Sequence, residues 1–93
     1  MGSRKWAIVI HEKDNVAVAL QSLRAGTKVS VEVQGRKEEI KLLSNIPMGH
    51  KFALRDVEEG GVVIKYGEVI GQSTGKIARG EHVHVHNVMS QQR

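Results

Sequence analysis

An apolar residue, two variable positions, a glycine, two more positions and a valine recur three times in this chain. The copies are Leu23…Gly26…Val29, Val57…Gly60…Val63 and Ile77…Gly80…Val83. Glycine takes positive φ without the Cβ clash that penalises other residues, so each copy suits a sharp corner feeding a strand. Spacing this uneven does not describe a solenoid. It fits similar corners built several times in one β domain, and a common turn idiom accounts for it equally.

Between the corners the apolar period is two. Val29, Val31 and Val33 alternate with Ser30 and Glu32, which predicts a half-buried strand. Gln34-Gly35 then makes a turn, and Lys37 to Leu43 is the returning strand. Trp6 to Ile10 is a β-branched run suited to a buried strand. Val62 to Ile64 and Glu68 to Ile70 are short strands separated by Lys65-Tyr66-Gly67. Pro47-Met48-Gly49-His50 reads as a loop, Ile77 to Gly80 as a turn and Glu81 to Val88 as the last strand. One helix is expected: Asp14 resembles an N-cap, Val16, Leu20 and Leu23 follow a helical stripe, and Gly26 sits as its C′ residue. The expected fold is therefore mostly β and compact, with one short helix near the N-terminus. It is read as a single domain over residues 1–93 with its core at about 6–88.

Ninety-three residues bury only roughly 60–65% of their unfolded surface. Walling a cleft of about 300 Å³ would consume much of such a core, so a partner chain is plausible from size alone. The net charge of +4 does not make a nucleic-acid binder, because the basic residues alternate with acids: Arg36-Lys37 with Glu38-Glu39, Arg55 with Asp56. One Trp, one Phe and one Tyr are too few for a base-stacking platform. A mild positive field favours small anions such as carboxylated metabolites. Cysteine is absent, which excludes disulfides and thiol chemistry. Apolar runs are far shorter than the roughly 20 residues of a membrane span, and the expectation is a soluble cytoplasmic protein.

His82-Val83-His84-Val85-His86-Asn87 is where chemistry concentrates. In an extended strand these three imidazoles share one face and the valines the other. They then span roughly 13 Å, too far for one ion without a bend, so a pair plus a ligand from elsewhere is the most that a straight strand allows. The bland alternative is a polar strand face of hydrogen-bonded histidines. Gly49-His50-Lys51 places an imidazole and an ammonium where a glycine lets the loop approach a ligand. Lys65-Tyr66-Gly67 adds a second ammonium and a hydroxyl, with Tyr66 either core or donor. No serine sits in an acyl-transfer elbow, and Gly71-Gln-Ser-Thr-Gly75 lacks the lysine of a phosphate loop.

Taken in order, His11-x-x-Asp14-Asn15, Gly49-His50-Lys51-Phe-Ala53, Ile64-Lys65-Tyr66-Gly67, Ile70-Gly71 and Gly80-Glu-His-Val-His-Val-His86-Asn87 resemble the N-terminal domain of altronate dehydratases. This is the SAF-type β-clip module, shared with galactarate dehydratase and with the small subunit of sulfolactate sulfo-lyase. The resemblance runs from about Trp6 to Asn87. It implies a hydro-lyase of hexuronate breakdown that converts a sugar acid to a 2-keto-3-deoxy acid, with ferrous or manganous ion and a larger catalytic subunit absent from this chain. On that reading His84, His86 and His50 are catalytic, and His84 and His86 touch the metal. Lys51, Lys65, Tyr66 and Asn87 bind substrate. A sulfolactate sulfo-lyase small subunit and a non-catalytic carbohydrate-binding or assembly module stay open as alternatives, as does a homo-oligomer.

Overall fold

The computed structural model of the chain describes residues 5–90. These form nine strands and no helix: β1 (Ala7–Ile8), β2 (Val16–Ala19), β3 (Lys28–Val33), β4 (Arg36–Lys41), β5 (Lys51–Ala53), β6 (Val62–Lys65), β7 (Glu68–Ser73), β8 (His82–Val83) and β9 (Val88–Ser90). The mostly-β expectation holds. A four-stranded antiparallel sheet has the order β1-β2-β5-β8, beside a β3–β4 hairpin and a three-stranded β6-β7-β9 sheet. Both hairpins close through two residues of positive φ, Gln34-Gly35 and Tyr66-Gly67, the geometry that matches strand twist. No helix among the described residues is long and apolar enough to cross a membrane.

Cross-strand partners share a sheet face, and this places the core on both sides of the four-stranded sheet. Ala17 pairs with Phe52 on the face that packs against Val29, Val31, Ile40 and Leu42. Val16 pairs with Ala53 on the other, against Val57, Val63, Ile77 and Val83.

The expected helix does not form. Val16–Ala19 is instead an inner strand, bonded to β1 on one side and β5 on the other. Asp14, read as an N-cap, accepts the His11 N–H on one carboxylate oxygen (3.0 Å) and the Gly67 N–H on the other (2.8 Å). Val16 and Val18 are β-branched, and two flanking strands satisfy their backbone on both edges, which outweighs a short helical stripe. Trp6 to Ile10 contributes only the two-residue β1, an edge strand with Ile8 and Ile10 exposed.

The last strand is broken as well. After Val83 the chain turns through residues 84–87 before β9. Val83 enters the core, whereas Val85 is 79% exposed. Asn87 holds this turn: its Oδ1 accepts the His84 N–H (2.9 Å) and its Nδ2 donates to the His82 carbonyl (2.8 Å).

The glycine corners number four. Ile46-x-x-Gly49-x-x-Phe52 completes the series, concealed by a phenylalanine where the others carry valine. All four glycines have φ between +81° and +90°. Their bonds repeat one for one. Leu23 and Ile46 exchange backbone hydrogen bonds, as do Val57 and Ile77. Gly26 donates to Leu42 as Gly60 does to Ser73, and Gly49 donates to Ala19 as Gly80 does to Ala53. The chain is thus two halves of strand, corner, hairpin and corner, with β5 opening the second half as β2 opens the first.

Candidate functional site

The second and fourth corners deliver the histidines. β5 and β8 pair antiparallel with Lys51 opposite Val83 and Phe52 opposite His82. Continuing that register by one residue sets His50 against His84, and alternation puts His82 on the same face. The His50 and His84 rings stack with centroids 4.3 Å apart, His50 and His82 at 5.1 Å, His82 and His84 at 5.5 Å. His50 Nδ1 lies 2.9 Å from His82 Nε2, so one ring donates to the other. The turn at 84–87 supplies the bend that a straight strand denied, and it carries His86 back to 5.2 Å from the His82 ring.

His50, His82 and His84 are half-buried and His86 is exposed. Burial holds the His82 imidazole below its ordinary 6.5, helped by the neighbouring His50, His86 and His84 rings. His84 is lowered in the same way, with His50 and Lys51 as its strongest charged neighbours. Both rings therefore favour the neutral form at pH 7, as a base or a ligand requires. One ligand atom from each of His50, His82 and His84 lies within 4.8 Å of the others. An all-imidazole set suits iron better than manganese, which prefers oxygen donors.

The lysines form a second group. Burial lowers Lys51, and the charge of Lys65 lowers it further. Lys65 Nζ sits 4.9 Å from the centroid of the Tyr66 ring, and Tyr66 is exposed in the hairpin turn. That hairpin is tied down by two residues outside the expected site residues. Asn15 accepts the Ile64 N–H and donates to the Val62 carbonyl, while the His11 ring packs on Gly67. His82 belonged to the His-x-His-x-His signal, but its place beside His50 needs the β5–β8 pairing. Asn87 has both ends of its amide engaged within its own turn. Two surface hollows, ≈ 610 and ≈ 600 Å³, lie elsewhere, around Asn15 and Arg55 and along β1. The imidazoles stand on an open face.

The chain is 51% identical over 80 residues to altronate dehydratase of Escherichia coli, covering 86% of this chain and 15% of that protein. It is 41% identical over 88 residues to altronate dehydratase of Bacillus subtilis, covering 89% and 16%. The chain thus spans about one sixth of the length of these relatives. It is 40% identical over 84 residues to the (2R)-sulfolactate sulfo-lyase subunit alpha of Chromohalobacter salexigens, there covering 89% of the relative. The family described as altronate/galactarate dehydratase SAF domain matches residues 5–91, and the chain belongs to it.

Proposed function

We propose that this chain is the SAF module of a carbon–oxygen lyase that dehydrates a sugar acid of altronate type to a 2-keto-3-deoxy acid, completed by a larger catalytic portion. The observation that carries the reading is the convergence of His50, His82 and His84, with the Lys51 charge near enough to act on His82 and His84 and that of Lys65 on Lys51. A surface site of this kind needs a second wall, and Val85, exposed within the histidine turn, offers apolar area to one.

Dehydration removes a proton beside the carboxylate and expels a β-hydroxyl. Lys51 and Lys65 hold the carboxylate as point charges. His50, His82 and His84 are the residues that would hold a divalent ion, which when bound stabilises the charge developing on the carboxylate side. His86, exposed at the rim, gives a proton to the departing β-hydroxyl, which leaves as water, and a base on the larger catalytic portion takes the proton beside the carboxylate. The test is the keto-deoxy acid assay with altronate and ferrous ion, on this chain alone, on a candidate large chain alone, and on both mixed. Product only in the mixture is expected; a large chain equally active alone refutes the reading.

A second reading is sulfite elimination from sulfolactate, favoured by the extent of the match to a separately encoded alpha subunit. Sulfite release by the same mixture, without keto-deoxy acid, decides for it. Loss of assembly alone on omitting this chain decides for a non-catalytic module.

A further inference from the structure

We infer that this chain, without any larger partner, holds one divalent transition-metal ion through His50, His82 and His84. The inference deepens the reading above by placing the ion on this module. It rests on the geometry of the imidazoles rather than on the reaction.

Donor nitrogens about 2.1 Å from an ion lie about 3.0 to 3.4 Å apart at cis or tetrahedral positions. His50 Nδ1 and His82 Nε2 already stand at 2.9 Å, and the third donor is within 4.8 Å of both. Ring positions agree. An imidazole centroid is about 3.2 Å from an ion bound to its nitrogen, so ligating rings have centroids about 4.5 to 5.2 Å apart. The three observed separations, 4.3, 5.1 and 5.5 Å, bracket that range. The rings stack at interplanar angles of 24°, 24° and 11°, so bringing their in-plane lone pairs onto one ion takes rotation of the ring planes about the side-chain bonds. Coordination requires that His50 and His82, which now share a hydrogen bond, both carry their protons on the remote ring nitrogens.

Three protein ligands on an open face leave coordination positions for water or for a carboxylate and hydroxyl of a ligand, the pattern of a catalytic rather than a closed structural site. His86 is not a ligand in this arrangement. Its ring neighbours His82 alone among the three, and it lies outside the group whose donor atoms converge. The site also joins the two halves of the chain, since His50 follows the second corner and His82 the fourth. The ion therefore clamps β5 to β8, and binding raises the unfolding temperature.

The probe is Co²⁺, titrated into the full chain and read by calorimetry and by ligand-field absorption, with histidine ring ¹⁵N shifts locating the ligands. One equivalent per chain is expected, shifting the His50, His82 and His84 rings and leaving His11 unmoved. His50→Ala, His82→Ala and His84→Ala should each weaken binding more than about a hundredfold, since even outer-shell changes cost 10–100-fold. His86→Ala should stay within about threefold. Circular dichroism of each metal-free variant separates a lost ligand from a lost fold, and His82→Gln replaces any alanine variant that unfolds. Binding unaffected by the His50 and His82 changes, or abolished by His86→Ala, overturns the site. So does the absence of stoichiometric binding in a folded chain. An active mixture with no binding here would sink the metal site and leave the lyase reading intact; binding with no product would do the reverse.

Discussion

Replacing Asn87 by alanine removes two hydrogen bonds at once from a side chain that is only 8% exposed. The His84 N–H loses its acceptor at 2.9 Å and the His82 carbonyl loses its donor at 2.8 Å. Leaving a partly buried polar group unsatisfied costs roughly 1–3 kcal/mol, with the lower half applying where water can reach. For two groups in a half-exposed turn the expected loss is about 2–3 kcal/mol. In a domain of this size each kcal/mol moves the melting temperature by about 4–8 °C, so a fall of roughly 8–24 °C is expected. Asn87→Asp keeps the acceptor and loses only the donor, and should lose about half as much. The assay is thermal and urea unfolding of this chain alone, with no substrate present. A loss below about 0.5 kcal/mol for Asn87→Ala would refute the structural role and return Asn87 to ligand binding.

Gly80→Ala places a methyl against the Lys41 carbonyl oxygen at a φ of +88°, and should lower stability by about 2 kcal/mol or more. Gly75→Ala, with open space around its Cβ, should stay within about 0.5 kcal/mol; equal urea midpoints for the two variants would contradict this. The histidine cluster sets the acid limit of the metal-free chain. The unfolded chain takes up protons at His82 and His84 near 6.5, while the folded chain resists them until lower pH. Stability should therefore be complete above about pH 6.5 and fall as pH drops below it, with a shallower slope in His82→Gln. Urea midpoints that are flat or rise from pH 7 to 5.5 would exclude the effect.

The β3–β4 hairpin was legible because it needs only its own residues. Val29, Val31 and Val33 are buried, Ser30 and Glu32 are exposed, and Gln34-Gly35 turns the chain. Val16–Ala19 was not legible, because its strand state depends on β1 and β5, whose pairing no local window contains. The same distinction divides the candidate site. His-x-His-x-His announced its chemistry, yet the straight strand it implied was wrong. The Asn87 amide bends the chain by bonds within five residues, a turn device that valine alternation concealed. His50 and His82, 32 residues apart, meet only through β5–β8 pairing. The second corner was concealed because Phe52 fills the place that valine holds elsewhere.

Two halves alike in their corners and order of elements have unequal fates. Counted from their corner glycines, Gly49 and Gly80, Lys51 is the twin of His82 and Ala53 the twin of His84. Yet Ala53 is fully enclosed, because β5 is an interior strand, whereas β8 is the last in its sheet. Repetition supplies the same backbone twice, and only where the repeat runs out is there room for side chains that must meet something outside. An attempt to install a second trio at Lys51, Ala53 and Glu81 would meet packed core at Ala53. The edge strand of the second half is thus where side chains can be added without dismantling packed core.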